Sequence, residues 1–330
     1  MQTNQRKEMI HIIGGAGFVG SRLAQVLDAQ STPFKIFDKA LDGDSYCDVT
    51  VPESLASLPP AEVVINLAAE HRDDVTPRSL YDDVNVEGAR NVCDYCRING
   101  TRQIIFTSSV AVYGFAPEGT DERGAFNPFN DYGRTKMEAE AVYRAWQAED
   151  PEHRSLVVVR PTVIFGEQNR GNVYNLLRQI ASGRFIMFGP GTNRKSMAYV
   201  QNIAEFLSFS TRFGPGEYIY NYVDQPDLDM NTLVSCCRSV LFGKDGVGLR
   251  LPGWLGVLLG YGFDMLAAIT GKKLPISSIR VKKFMGTTAF NTSISETGFT
   301  PSSNLDQGIE RTLRHEFVEN HKAEKVFFSE

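Results

Sequence analysis

Cysteine and histidine are scarce here, five of each in 330 residues, and none has the neighbours that a metal centre needs. Cys93 and Cys96 form a CxxC inside a helical pattern, but no second Cys or His pair at ligand spacing accompanies them. His71 likewise has no histidine partner, so no metal is expected. The odd cysteine count, without an early apolar stretch of the signal-peptide kind, predicts reduced thiols and a cytoplasmic protein. Long apolar runs are missing as well. The longest charge-free one, residues 251–263, falls short of the ~20 residues that cross a bilayer. Basic charge is not in excess: 34 Lys+Arg stand against 39 Asp+Glu, a formal net charge of −5, which argues against nucleic acid as a partner.

What the chain does have is apolar mass. Hydrophobic residues make up 42% of a length about twice that of an ordinary domain, enough for a large core. Short continuous apolar runs at 9–13, 34–37, 63–65, 104–106 and 156–159 are of strand length, and helix-like segments at 21–29, 77–98 and 133–149 separate them. That rhythm predicts an α/β fold, a doubly wound parallel sheet of the Rossmann type, over residues 1–165. Thr76-Pro77 reads as an N-cap with proline at the first helical position, and Asn99-Gly100 as the end of the same helix. After about residue 166 the rhythm breaks, and residues 166–330 are expected to form a smaller, partly interleaved substrate domain. Residues 196–224 would return to the sheet domain.

The first apolar run leads straight into GGAGFVG, with glycines at 14, 17 and 20 and a helix after them. A strand-to-helix turn built this way lets backbone approach a pyrophosphate on the helix N-terminus, so a dinucleotide is expected there. Asp38 ends the second run, where a carboxylate accepts from ribose hydroxyls and repels a 2′-phosphate. NAD is therefore expected over NADP, with Lys39 beside it leaving some tolerance. Tyr132 and Lys136 form a YxxxK at the start of a helix, which puts a phenol and an ammonium on one face as a tunable acid and base. Ser109, just past the fourth run, is placed to hydrogen-bond a reacting oxygen at the carboxyl edge of the sheet. The run NLAA at 66–69 offers small residues for a wall against the cofactor, and the charged residues 70–74 follow it.

Taken together, GGAGFVG, Asp38, NLAA, SSVAVYG, YGRTK and Arg160-Pro161 resemble the NAD-dependent epimerase/dehydratase family, the extended short-chain dehydrogenases. The resemblance implies NAD as cofactor, with Ser109, Tyr132 and Lys136 as the catalytic triad. It implies Gly14, Gly17, Phe18, Val19, Gly20, Asp38, Lys39, Asp48, Val49, Leu67, Ala68, Ala69, His71, Asn85, Pro161 and Val163 around the cofactor, and Asn172, Val173, Lys195 and Lys282 around the substrate. Further runs, among them AAEHRDDVTPRSLYDDVNVEGARNV and GTNRKSMAYVQNI, resemble the branch that interconverts GlcNAc and GalNAc on a diphosphate carrier. Undecaprenyl diphosphate is the favoured carrier there and UDP the other, in O-antigen assembly. A 4-ketoreductase or dehydrogenase would use the same triad. A 4,6-dehydratase needs an extra acid and base where Val110 and Ala111 stand, and a non-enzymatic NAD-binding protein has no use for the triad. A homodimer, and peripheral contact with the inner face of the cytoplasmic membrane through the apolar stretch and Lys272, Lys273, Arg280, Lys282 and Lys283, complete the expectations.

Overall fold

A computed structural model describes residues 9–72, 75–270, 278–319, 321 and 324–328. Lys272 and Lys273 lie outside these residues, and the side chains of Arg280, Lys282 and Lys283 are outside the description too. The strands are β1 (Ile10–Ile13), β2 (Phe34–Phe37), β3 (Val63–Asn66), β4 (Gln103–Thr107), β5 (Ser155–Pro161), β6 (Val163–Phe165), β7 (Met187–Phe188), β8 (Met197–Tyr199), β9 (Gly216–Tyr222) and β10 (Arg250–Leu251). The α-helices are α1 (Phe18–Ala29), α2 (Pro52–Ala56), α3 (Ser79–Tyr81), α4 (Gly88–Asn99), α5 (Asp131–Ala148), α6 (Asn172–Ala181), α7 (Val200–Ser210), α8 (Met230–Phe242), α9 (Gly253–Thr270), α10 (Ser278–Met285) and α11 (Leu305–Leu313).

Six of the strands form one parallel sheet in the order β2-β1-β3-β4-β5-β9. Continuous apolar strands arise because both faces are covered. Ile13, Val64, Ile104 and Val158 pack with Ala89, Val92, Cys93 and Cys96 of α4 and Tyr143 and Trp146 of α5. Their neighbours Ile12, Ile65, Ile105 and Val157 point the other way, onto Leu23 and Leu27 of α1 and Phe206 and Leu207 of α7. Cys93 is thus core, and burial pushes its thiol up to about 12. His11 is fully buried in β1 beside Phe37, and desolvation lowers its pKa to about 4, which keeps it neutral.

The expected Rossmann sheet is formed, and β9 joins it beside β5. One helix start is different. The Thr76–Pro77 bond is cis and precedes the helix; Arg78 caps α3 without a side-chain bond, and a π-helical stretch, Asp82–Glu87, carries the chain into α4. Proline here shapes the entry rather than occupying the first turn. Gly100, at φ +67°, does close α4 in the left-handed region.

Outside the main sheet, β6 pairs with β8 and β7 with β10. A second apolar cluster there joins α6, α8 and α11 around Leu177, Met187, Leu233 and Ile309. The order of the main sheet reverses between β1 and β3, so a crevice opens at the carboxyl ends of these strands.

Candidate active site

That crevice is a cavity of about 420 Å³. Gly14 makes its floor: at φ +78°, an added Cβ would lie 2.6 Å from the Ala68 nitrogen, so only glycine lets the turn after β1 meet the turn after β3. Asp38, at the end of β2, faces this turn. Its Oδ2 accepts from the Ala16 N–H (3.1 Å) and its Oδ1 from the Ala40 N–H (2.9 Å), so one carboxylate both lines the cavity and ties the glycine loop to the next strand.

Helix α5 supplies the chemistry. Asn130 caps it by accepting from the Gly133 N–H (2.9 Å), and a Cβ on Gly133 would stand 2.5 Å from the Ala111 oxygen, so the helix start is pressed against the segment that bears Ser109. The Tyr132 hydroxyl shares the cavity with Ser109, which favours the phenolate and whose Oγ accepts from the Ala111 N–H (3.1 Å). One turn on, Lys136 is 2% exposed and its Nζ donates to the Thr107 carbonyl (2.7 Å) at the end of β4. Burial governs both groups: it pushes Tyr132 up to about 12 against the influence of Ser109, and lowers Lys136 to about 7 against the pull of Glu140. Lys136 alone therefore does not create the phenolate that the YxxxK spacing suggests.

Most of the expected residues line this one cavity: Gly14, Gly17, Phe18, Val19, Gly20, Asp38, Lys39, Asp48, Val49, Leu67, Ala68, Ala69, His71, Ser109, Tyr132, Lys136, Pro161, Val163 and Asn172. Three others are elsewhere. Asn85 is buried beneath the wall, where its amide bonds both the N–H and the carbonyl of Glu70 and the Thr135 hydroxyl, so it braces the loop after β3. Val173 belongs to the apolar cluster around Leu177. Lys195 meets Thr288 through side chain and backbone, away from the cavity lining. Lys282 cannot be placed, since its side chain lies outside the description.

Sequence reasoning passed over Thr107, Thr162 and Asn169, which also line the cavity. Thr107 Oγ1 is buried there with no hydrogen-bond partner. An orphan hydroxyl beside an acid/base pair, a glycine floor and a carboxylate at the end of β2 fits a dinucleotide with a polar substrate.

Residues 10–221 match the NAD dependent epimerase/dehydratase family. The chain belongs to this family. Over 97% of its length it is 49% identical to 98% of the N-acetyl-alpha-D-glucosaminyl-diphospho-ditrans,octacis-undecaprenol 4-epimerase of Escherichia coli O157:H7. The fold matches the UDP-N-acetylglucosamine 4-epimerase from Bacillus cereus with a TM-score of 0.72 at 15% identity, covering 93% of this chain and 98% of that one. It matches the Thermus thermophilus UDP-glucose 4-epimerase, solved with NAD, with a TM-score of 0.66 at 18% identity and the same coverage. As a member of this family the chain uses NAD.

Asp38→Ala is expected to weaken NAD binding by roughly 1.5–3 kcal/mol, the range for hydrogen bonds to a charged group, while the chain stays folded. Calorimetric titration of both proteins with NAD and NADP checks this. Tighter binding of NADP than NAD by the unmodified chain would contradict the role given to the carboxylate.

Proposed function

We propose that this epimerase-family chain interconverts GlcNAc and GalNAc at C4 while the sugar is carried on a diphosphate, with undecaprenyl diphosphate as the preferred carrier. The observation that carries the reading is the meeting of Tyr132, Ser109 and Lys136 in one cavity with the glycine loop. The near full-length identity to an epimerase of that name supports the substrate. Gly14, Gly17, the start of α1 and Asp38 would hold the dinucleotide. Bound NAD supplies a hydride acceptor that is also, one step later, the donor.

The side chains do the proton work. Tyr132 takes the proton of the sugar 4-hydroxyl as C4 is oxidised to a ketone, and returns it when C4 is reduced on the opposite face. Ser109, in the same cavity as the phenol, holds the oxygen through both steps. Lys136 would turn from the Thr107 carbonyl to a ribose hydroxyl of the dinucleotide, and its charge together with that of the oxidised cofactor would offset the burial that otherwise keeps Tyr132 protonated.

The carrier finds support in α9. Trp254, Leu258, Tyr261 and Met265 are 69%, 59%, 52% and 67% exposed, and at 100° per residue they fall on one stripe. Gly256 lies on the opposite side, against Phe188, where a Cβ would come within 2.6 Å of the ring. An apolar stripe followed in sequence by Lys272, Lys273, Arg280, Lys282 and Lys283 suits an anionic membrane that presents the lipid diphosphate. Among the described residues no helix is long and apolar enough to cross it.

The test supplies NAD with GlcNAc-diphospho-undecaprenol in anionic liposomes or with UDP-GlcNAc, followed by sugar analysis. GalNAc should form on the lipid, and the protein should sediment with the liposomes in a salt-sensitive way. Far faster turnover of UDP-GlcNAc by a protein that ignores the liposomes would replace the lipid carrier with a nucleotide.

A further inference from the structure

Residues 324–328 lie far from the cavity in sequence yet touch both of its lips. On one side the Lys325 Nζ donates to the Ala16 carbonyl of the glycine loop (2.9 Å), and the Phe327 ring packs 5.7 Å from that of Phe18, which lines the cavity at the start of α1. On the other side Phe327 pairs with the loop after β6: its N–H donates to the Gln168 carbonyl (2.8 Å) and its carbonyl accepts from the Arg170 N–H (2.8 Å). Asn169, between those partners, lines the cavity. A third attachment is charged. Glu324 accepts from the Gln168 amide (2.6 Å) and from His321 Nδ1 (2.8 Å), and lies 3.4 Å from His315 Nε2.

We propose that residues 324–328 form a strap that holds the glycine loop and the loop after β6 together over the bound dinucleotide, with the His315, His321 and Glu324 cluster as its latch. The proposal rests on the NAD reading of the cavity and adds a segment that lines no part of it except through those two loops. An enzyme that returns its hydride in every cycle gains from slow loss of the cofactor, which gives such a strap a use.

The two imidazole rings are stacked 3.9 Å apart and 15° from parallel, and both face Glu324. His321 faces Glu319 on one nitrogen and Glu324 on the other; His315 faces Glu316 and Glu324; Arg170, across the loop, pairs with Glu316. Hydrogen bonds to Glu319 and Glu324 raise the His321 pKa above its ordinary value. A raised histidine pKa means that the latch is fully made below about 6.5, the value of the released ring, and is lost as pH rises through the higher value of the latched ring.

The experiment loads the full chain with NAD and follows release of the nucleotide into excess competitor, for the unmodified protein, for Lys325→Ala with Phe327→Ala, and for His321→Gln. Release should be about tenfold faster in the double variant, the effect of losing one hydrogen bond and one ring contact. Release from the unmodified protein should quicken as pH rises above about 6.5, the value of the released ring, and the His321→Gln variant should lose that dependence. Circular dichroism confirms that each variant is folded; Lys325 is exposed and Phe327 partly so. If the unmodified protein retains NAD and the double variant releases it at the same rate, the strap is overturned while the cofactor reading stands. If the unmodified protein retains no NAD, both are overturned.

Discussion

Tyr132→Phe is expected to fold, to bind NAD as the unmodified chain does and to lose turnover by about 10²- to 10⁴-fold, the usual cost of removing a positioned acid/base. The ring stays and its packing stays; only the hydroxyl is deleted. Steady-state rates with the assigned substrate, together with an NAD titration, measure the effect. Near-normal turnover would remove Tyr132 from its role.

Arg160→Ala should destabilise the chain by about 3–5 kcal/mol, because it takes the main partner from a buried carboxylate and leaves it only Arg144, at 3.5 Å, as a cation in contact. Arg160 and Glu140 are 1% and 0% exposed and meet through two hydrogen bonds of 2.8 and 2.6 Å; Ser108 donates a third to Glu140 (2.6 Å). From the other end of the guanidinium the chain of contacts runs to Tyr113 (2.6 Å) and on to Asn221 in β9 (2.8 Å). This network fixes α5 against β4, β5 and β9, one turn beyond Lys136 on the same helix, so turnover should fall with stability. Chemical denaturation checks the first effect. Replacing Glu140 and Arg160 together with methionines should recover much of the loss, since two apolar side chains leave no unpaired charge. A loss below about 1 kcal/mol for Arg160→Ala would mean that water reaches Glu140.

The parallel sheet could be read from the sequence because strands buried on both faces are apolar throughout, as IHII and VVIN are. The glycine turn, Asp38 and the YxxxK were readable for a related reason: the fold sets them at the ends of β1 and β2 and at the start of α5, next to strands already identified. Side-chain direction was not readable. Asn85 stands within the helical span expected at 77–98 and Val173 in α6, but one braces Glu70 and the other joins an apolar cluster. Arg160 stood in a familiar Arg-Pro pair without disclosing its partner Glu140, 20 residues away and one turn beyond Lys136. Thr76-Pro77 misled because a cap and a proline make a purely local signal, while α3 starts at Ser79 with Arg78 at its N-cap. Lys325 touches Ala16 across 309 residues, a separation at which no local pattern survives.

The central claim is that C4 is oxidised and then reduced within one turnover, with nothing released between. GlcNAc-diphospho-undecaprenol carrying deuterium at C4 tests it most directly, with product GalNAc analysed by mass spectrometry while NADH is followed by its absorbance. The deuterium should be kept at C4 of GalNAc, and no NADH should accumulate. Deuterium appearing in released NADH, with a 4-keto sugar as product, would contradict that claim and make the chain a dehydrogenase.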